Sequence, residues 1–178
     1  KELYLSLLRS AMDGRTAGRA HPAFVEIIRQ LTAEEAGMLP IVLTPEAAAI
    51  AEIRLTSPDG EGWEILRKHV MKLCKDPGNA PLIVPNLPAI VDNWIRLGLV
   101  EVDYNTYMRD EGCYDWAESG PEFKEATVVY KTDKFRVHFH KGVLSRTSFG
   151  KEFAEIVGII PPNEVSGTNY PLPHQGSE

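Results

Sequence analysis

Two histidines with strand spacing are the residues of this chain whose arrangement comes nearest to a metal site. His138 and His140 are separated by one residue, so on a β-strand both rings face the same side, as a pair of metal ligands requires. No Cys or carboxylate stands at a recognisable spacing to provide a third ligand. Exposed strand histidines therefore explain the pair better, and we predict no metal site.

A second candidate chemistry is a dispersed active site, for example that of a nuclease, built from Asp13, His21 and Glu35. Each residue also has a structural explanation. Asp13 ends a predicted helix, His21 stands before Pro22 where it fits a helix cap, and Glu35 lies in a first helical turn that favours carboxylates. The enzyme remains our third hypothesis, and we predict no catalytic and no cofactor-binding residues.

Composition narrows the class of protein further. The net charge of −6 and the pI of about 5.4 disfavour binding to nucleic acid, because such proteins usually present a basic face. Two cysteines, Cys74 and Cys113, make no disulfide framework, and no apolar run is long enough to span a membrane. We expect a cytoplasmic protein. Because the chain begins at Lys1 within a helical pattern, we also expect it to be part of a longer protein.

Helical spacing dominates the first part of the chain. Residues 1 to 13 predict an amphipathic helix, and a second helix begins at Pro22. Thr32 and Glu35 fit a capping box that starts a third helix near Ala33, with a kink or an end near Pro40. Residues 44 to 59 fit either a short helix or a strand, and residues 63 to 75 predict another helix.

The second part of the chain mixes helices and strands. Residues 87 to 97 predict a helix that Gly98 ends, and residues 99 to 103 predict a strand. An acidic insertion at 104–130 carries a helix over 115–129, interrupted by Gly120 and Pro121. Residues 135 to 140 and 143 to 146 predict a hairpin that turns at Lys141 and Gly142. A last helix at 149–157 precedes a tail, 161–178, that we predict to be flexible.

A helix that leads through Gly98 into a strand, followed later by a hairpin, is typical of a winged-helix unit, in which the hairpin is the wing. The predicted fold class is therefore α+β and predominantly helical, with N-terminal helices packed on a winged-helix-like C-terminal half. The predicted divisions are a helical part at 1–45, a winged-helix-like part at 46–160 with the acidic insertion, and the tail.

Such a unit would place a basic face on the reading helix and the wing. The candidate nucleic-acid or interaction residues are Asn93, Arg96, Lys134, Arg136, Lys141, Arg146 and Lys151. Residues 131 to 151 hold six Lys or Arg against one Asp. The interpretation that we favour is that this basic segment pairs with the acidic insertion.

Four sequence blocks together resemble the abortive-infection alpha family, a bacterial domain of otherwise unknown function. The blocks are Leu7-Leu8-x-Ser10-Ala11-Met12-Asp13; His21-Pro22-x-Phe24-x-x-Ile27-x-x-Gln30-Leu31-Thr32-x-x-Glu35-Ala36; Asn93-x-x-Arg96-Leu97-Gly98-Leu99; and Leu144-Ser145-x-Thr147-x-Phe149-Gly150-Lys151-x-Phe153. The first two contribute the motif residues Asp13, His21, Pro22 and Phe24. The resemblance implies a role in resistance to phage and supplies no catalytic residues.

Two hypotheses about the activity of the protein rank above the enzyme. The first is a non-enzymatic interaction module that binds a protein partner or itself in antiviral defence. It rests on the resemblance, the acidic charge and the lack of a catalytic motif. The alternative is a winged-helix regulator that binds DNA.

Overall fold

The computed structural model describes residues 2, 3, 5, 6, 21–57, 62–74, 80–130 and 135–161. Residues 2, 3, 5 and 6 are helical, and the rest of the first predicted helix, together with the predicted tail after Pro161, lies outside the described residues. Helix α1 spans Ala23–Gln30 and α2 spans Ala33–Leu43. The predicted capping box is confirmed, because Thr32 and Glu35 bond each other's backbone amides at 3.1 and 2.7 Å. Pro40 lies inside α2, which ends three residues later.

The ambiguous segment after α2 is a strand. Strand β1 spans Ala47–Thr56, and β2 spans Trp63–Val70. The predicted helix at 63–75 is therefore wrong. Its apolar spacing at Trp63, Leu66 and Val70 also fits a strand with extra residues, and the β1–β2 pairing has two irregularities, between Ala51 and Ile53 and between Ile53 and Arg54.

The helix, the glycine and the strand predicted next are all present. Helix α3 spans Leu87–Arg96 and β3 spans Val100–Asp103. Gly98 has a φ of +72°, a left-handed conformation that glycine adopts without the steric cost of a Cβ atom. The acidic insertion holds two short helices, α4 (Trp116–Ser119) and α5 (Pro121–Val129), divided at Gly120 and Pro121 as the sequence predicts.

The predicted hairpin at Lys141 and Gly142 is wrong. Residues Arg136–Arg146 form one continuous strand, β4, and helix α6 (Ser148–Ile156) follows it. A turn here would leave β1 without its partner, because β1 pairs with β4 along ten consecutive positions, from Ala47 opposite Ser145 to Thr56 opposite Arg136. Long-range pairing with β1 thus overrides the local turn preference of Lys-Gly.

The four strands form one antiparallel sheet in the order β2-β1-β4-β3. Successive side chains of a strand face opposite sides, so Ile50, Glu52 and Arg54 share one face of β1 and Ala51 and Ile53 share the other. We call the face of Ile50 the inner face. Ile50 belongs there to a buried core that also contains residues of α1, α2, α3 and α6. On the outer face, α5 packs on β4 through Phe123 and Phe139, whose rings are 6.4 Å apart.

The fold is α+β, but the prediction of a predominantly helical, winged-helix-like architecture is wrong. The wing does not exist, because its two predicted strands are one strand at the centre of the sheet. Residues of the predicted N-terminal part, such as Phe24 and Leu39, share the core with Trp94 and Phe153 from the second part.

Candidate functional site

Among the described residues, a group of titratable side chains lies on the inner face, centred on His69 and Tyr104. The Tyr104 hydroxyl lies 2.9 Å from His69 Nδ1 and accepts a hydrogen bond from the His69 backbone N–H at 3.1 Å. His69 Nε2 lies 3.2 Å from Asp92 Oδ1. One neutral tautomer satisfies all three contacts, with Tyr104 donating to Nδ1 and Nε2–H donating to Asp92.

Tyr104 reaches His69 across two intervening strands. It follows β3 at one edge of the sheet, whereas His69 lies in β2 at the other edge. Its ring lies on Gly142 of β4: a Cβ atom at that position would stand 2.4 Å from Tyr104 Cδ1. Glycine is therefore required at position 142 for close approach of the ring to the sheet, and not for a turn.

His69 has an uncommon backbone conformation. Its φ is +54°, whereas the other described residues apart from glycines have negative φ values. The side chain is buried. Such a conformation costs about 1–3 kcal/mol and persists only where the surroundings enforce it. Here the β1–β2 irregularity and the two contacts with Tyr104 hold the residue in place.

A buried ion pair extends the group along β1. Glu52 is 3% exposed, and its Oε2 accepts hydrogen bonds from Arg54 Nε and Nη2 at 2.9 and 2.7 Å. The Arg54 guanidinium lies 4.0 Å from the centre of the exposed Trp63 ring. We call Glu52, Arg54, His69, Asp92 and Tyr104 the sheet-face cluster. The sequence signal that could have revealed it is the alternation of Glu52 and Arg54 with apolar neighbours, whereas His69 and Tyr104 carry no such signal.

The predicted histidine pair does share the inner face, as its spacing requires, beside this cluster. His138 Nδ1 lies 3.1 Å from Thr56 Oγ1, and His140 Nε2 lies 2.9 Å from the Tyr104 carbonyl oxygen. Within the ranges that the structure describes, no three His, Cys, Asp or Glu side chains are grouped as metal ligands would be. Each imidazole thus uses one ring nitrogen in a contact within the protein.

The protonation behaviour of the cluster fits structural hydrogen bonding. Burial lowers the pKa of His69 more than Asp92 raises it, so the neutral ring is favoured. Burial also raises the pKa of Tyr104 far above that of a free phenol. The phenol therefore stays protonated and donates to His69 Nδ1, which accepts in the neutral ring.

The residues of the second and third family blocks meet at another place, among α1, α2 and α3. Asn93 Nδ2 donates to Glu35 Oε1 at 2.7 Å, and Arg96 donates to Asn93 Oδ1 at 2.6 and 3.1 Å and to Gln30 Oε1 at 2.8 Å. Although burial opposes the effect, hydrogen bonds from Thr32 and Asn93 lower the pKa of Glu35. We call Gln30, Thr32, Glu35, Asn93 and Arg96 the helix junction.

The motif residues around His21 pack beside this junction. His21 Nδ1 accepts a hydrogen bond from the Ala23 N–H at 3.1 Å, at the helix entry, and Pro22 begins the turn into α1. The fully buried Phe24 ring contacts Phe149 and Phe153 of the fourth block at 5.3 and 5.5 Å between centroids. Asp13 and the first block lie outside the described residues.

The residues proposed for a nucleic-acid face are dispersed. Asn93 and Arg96 are held in the helix junction, and Arg146 donates to the carbonyl oxygens of Leu43 and Thr44. Arg136 and Lys141 point to opposite faces of β4. Lys134 lies outside the described residues, and Lys151 is half-buried in α6.

Lys141 does contact the acidic insertion, as the pairing interpretation suggests, but through aromatic rings. Its ammonium lies 5.1 Å from the centre of the Tyr114 ring and 5.7 Å from that of Tyr107. Tyr114 also donates to the Gly142 carbonyl at 2.7 Å, which fastens the insertion to β4. In the described part of the basic segment, Lys141 thus contacts the insertion through cation–π interactions and Gly142 through a hydrogen bond.

These features define a small α+β domain in which two polar clusters fasten helices and strands together. The chain belongs to the abortive infection alpha family, whose model matches residues 1–157. No curated protein matches the chain. A solved structure, that of an uncharacterized protein from the marine bacterium Alcanivorax borkumensis SK2, is similar with a TM-score of 0.47 and 15% identity, over 76% of this chain and 95% of that one. No helix among the described residues has the length and apolar character needed to cross a membrane.

Proposed function

We propose that the protein acts in bacterial abortive infection as a non-enzymatic interaction module that binds a protein partner or a second copy of itself. Membership of the abortive infection alpha family supports the process. Both polar clusters are hydrogen-bonded within the fold, as groups that hold helices and strands together would be. The proposed location is the cytoplasm, in keeping with Cys74 and Cys113, neither of which forms a disulfide.

The observation that carries the proposed interaction is a set of exposed apolar residues at the end of α5 and just before β4. Val128 is 76% exposed, Val129 66%, Phe135 46% and Tyr130 38%. Single exposed apolar residues are common on protein surfaces, but several large ones close together in the chain favour an interaction site. We call these four residues the α5 patch.

The α5 patch does not serve as core for the domain itself. Helix α5 has no fully buried residue, although Phe123 reaches Phe139. The side chains of Val128 and Val129 therefore remain available to a partner. Burying each of them in an interface would contribute about 1.5 kcal/mol or more through the hydrophobic effect.

The test is phage challenge of cells that express the intact gene, with and without the paired change Val128→Ser and Val129→Ser. We expect the wild type to reduce plaque formation and the variant to lose that protection. The melting temperature should remain within a few degrees, since both residues are exposed. Glu118→Ser, an exposed residue on α4 outside the patch, is the matched control and should protect like the wild type.

Protection by the paired variant equal to that of the wild type would refute the role of the α5 patch. If the wild-type gene protects against no phage of a broad panel, the proposed process loses its support. Size-exclusion chromatography with light scattering then distinguishes the two partners. Self-association predicts a dimer or larger species that the paired variant converts to a monomer.

A further inference from the structure

A cavity of about 440 Å³ lies between the segment that follows β2 and the start of helices α4 and α5. A cavity of this size suits a small organic molecule, since ligand sites commonly measure about 300–1,000 Å³. It lies at the start of α5, whereas the α5 patch lies at its end. The cavity is therefore a separate surface from the one proposed to bind a protein.

The apolar part of the lining comes from both sides. Met71 and Ile83 belong to the segment after β2, which is held together by the Leu82 N–H donating to the Leu73 carbonyl at 2.8 Å. Trp116 and Pro121 come from the two helices. The Trp116 indole N–H donates to the Cys113 carbonyl at 2.8 Å, which fixes its ring, and Ile83 is 83% exposed. These side chains offer a hydrophobic surface to a ligand.

Among the lining residues that the structure describes, negative charge predominates. Asp115 and Glu122 contribute two carboxylates, and Lys72 contributes one ammonium. Asp115 stands immediately before α4 and Glu122 in the first turn of α5, so both helices fix their backbone positions. Neither carboxylate forms an ion pair or a side-chain hydrogen bond with another residue that the structure describes.

We propose that this cavity binds a small organic cation with an apolar body, of the class of aromatic or branched aliphatic amines. The ammonium would lie near Asp115 and Glu122, and the body would pack against Trp116 and Ile83. An indole ring adds an attraction for a nearby cation through its negative face. Lys72 opposes the cation, so its charge should weaken binding.

Calorimetric titration with 2-phenylethylamine tests the charge preference, and phenylacetate, with the same ring and the opposite charge, is the matched ligand. We expect the amine to bind the protein and phenylacetate to bind at least tenfold more weakly. The indole N–H resonance of Trp116 should shift on addition of the amine. Equal or tighter binding of phenylacetate, or no binding of the amine at millimolar concentration, would overturn the proposal.

Charge-removing variants locate the site, because removing a carboxylate and removing the ammonium should change the affinity for the amine in opposite directions. Asp115→Asn and Glu122→Gln should each weaken amine binding about threefold, as expected for one partly exposed ion pair, and Lys72→Met should strengthen it by a similar factor. Glu118→Gln, on α4 but outside the lining, should leave the affinity unchanged. An affinity that does not respond to the combined Asp115→Asn and Glu122→Gln change places the amine elsewhere and overturns the assignment.

Discussion

The helix junction and the sheet-face cluster both satisfy buried polar groups, but the chain assembles them in different ways. At the junction, Glu35 is placed by its own capping box with Thr32, and Asn93 then joins α3 to that helix start. On the sheet face, His69 and Tyr104 are 35 residues apart in sequence and meet only when all four strands are in register. One cluster is built from locally determined helices, and the other depends on long-range strand pairing.

Gly150→Ala would test the helical side of this comparison most severely. A Cβ atom there would stand 2.0 Å from the Leu99 carbonyl oxygen, so α6 must move away from the end of α3. We expect a loss of about 3 kcal/mol in the free energy of unfolding, as for severe overpacking. Urea denaturation measures this change in the free energy of unfolding.

Gly37→Ala is the matched control. A Cβ atom at this position inside α2 would meet nothing within 4 Å beyond the helix's own backbone, so the change should stabilise the protein by about 0.5–1 kcal/mol. Similar values for both variants would contradict the packing of α6.

Gly142→Ala would break the sheet side by displacing Tyr104 from β4. The ring carbon Cδ1 would lie 2.4 Å from the new Cβ atom, and we expect a loss of about 2 kcal/mol. A double-mutant cycle with Tyr104→Ala checks the cause. Once the ring is absent, adding the methyl group should cost much less than it does in the wild type. Additive losses would show that the clash is not with Tyr104.

Tyr104→Phe separates the hydroxyl from the ring. The variant keeps the ring over Gly142 but leaves the His69 N–H and Nδ1 without their partner, so we expect a loss of about 1–2 kcal/mol. Tyr107→Phe serves as the control because Tyr107 is 60% exposed and is expected to change stability by less than about 0.5 kcal/mol. Thermal unfolding of both variants and of the wild type measures the two losses in stability. An equal, negligible effect of both changes would mean that the hydroxyl contacts contribute nothing.

Asn93→Ala gives the corresponding measurement at the helix junction. It removes the hydrogen bond to the buried Glu35 carboxylate and the acceptor for Arg96, and we expect a loss of about 1–1.5 kcal/mol. The pKa of Glu35 should rise, because Asn93 contributes to its lowering. NMR titration of the Glu35 side-chain carbonyl checks this shift. A Glu35 pKa that stays as low as in the wild type would contradict the contact.

Lowering the pH from 7 to 5 should reduce the stability of the protein through histidines on the sheet face. The helix junction has no group that titrates in this range, because the pKa of Glu35 is lowered. Because the pKa of His69 is lowered in the folded protein, the unfolded chain takes up its proton first, and stability falls as the pH drops below the ordinary histidine pKa of 6.5. His138, whose pKa burial also lowers, adds to the effect with the same sign. His69→Asn keeps a residue that tolerates a positive φ and removes the titration. Between pH 7 and pH 5 its stability should fall less steeply than that of the wild type. Equal slopes would contradict the lowered pKa of His69.

The sequence predicted the helix starts and ends around the helix junction because their signals are local. The Thr32 and Glu35 capping box, Pro22 at a helix start and Gly98 after α3 each report on residues within one or two turns. The interpretations of Glu35 and His21 as capping residues agree with the contacts that those side chains make. What the sequence could not predict is that Asn93 would select Glu35 as its partner, since that contact joins residues 58 apart.

The sheet was harder to predict because strand pairing decides what each segment becomes. Local chemistry at Lys141 and Gly142 favours a turn, yet the pairing of β4 with β1 keeps the strand continuous, and the glycine leaves room for the Tyr104 ring. The apolar spacing of β2 resembles a helix because its pairing with β1 is irregular. The winged-helix interpretation is wrong because β4 is not a hairpin and β2 is not a helix. The sheet-face cluster depends on the same two strands, so the sequence does not predict it.

The most direct test of the central proposal, that the polar clusters are structural rather than catalytic, is phage challenge with Tyr104→Phe in the intact gene. At a temperature where both proteins are folded, as shown by circular dichroism, the variant should reduce plaque formation as strongly as the wild type. Protection should be lost only at temperatures that unfold the variant. A complete loss of protection by the folded Tyr104→Phe protein would contradict the account and would assign the hydroxyl a chemical role.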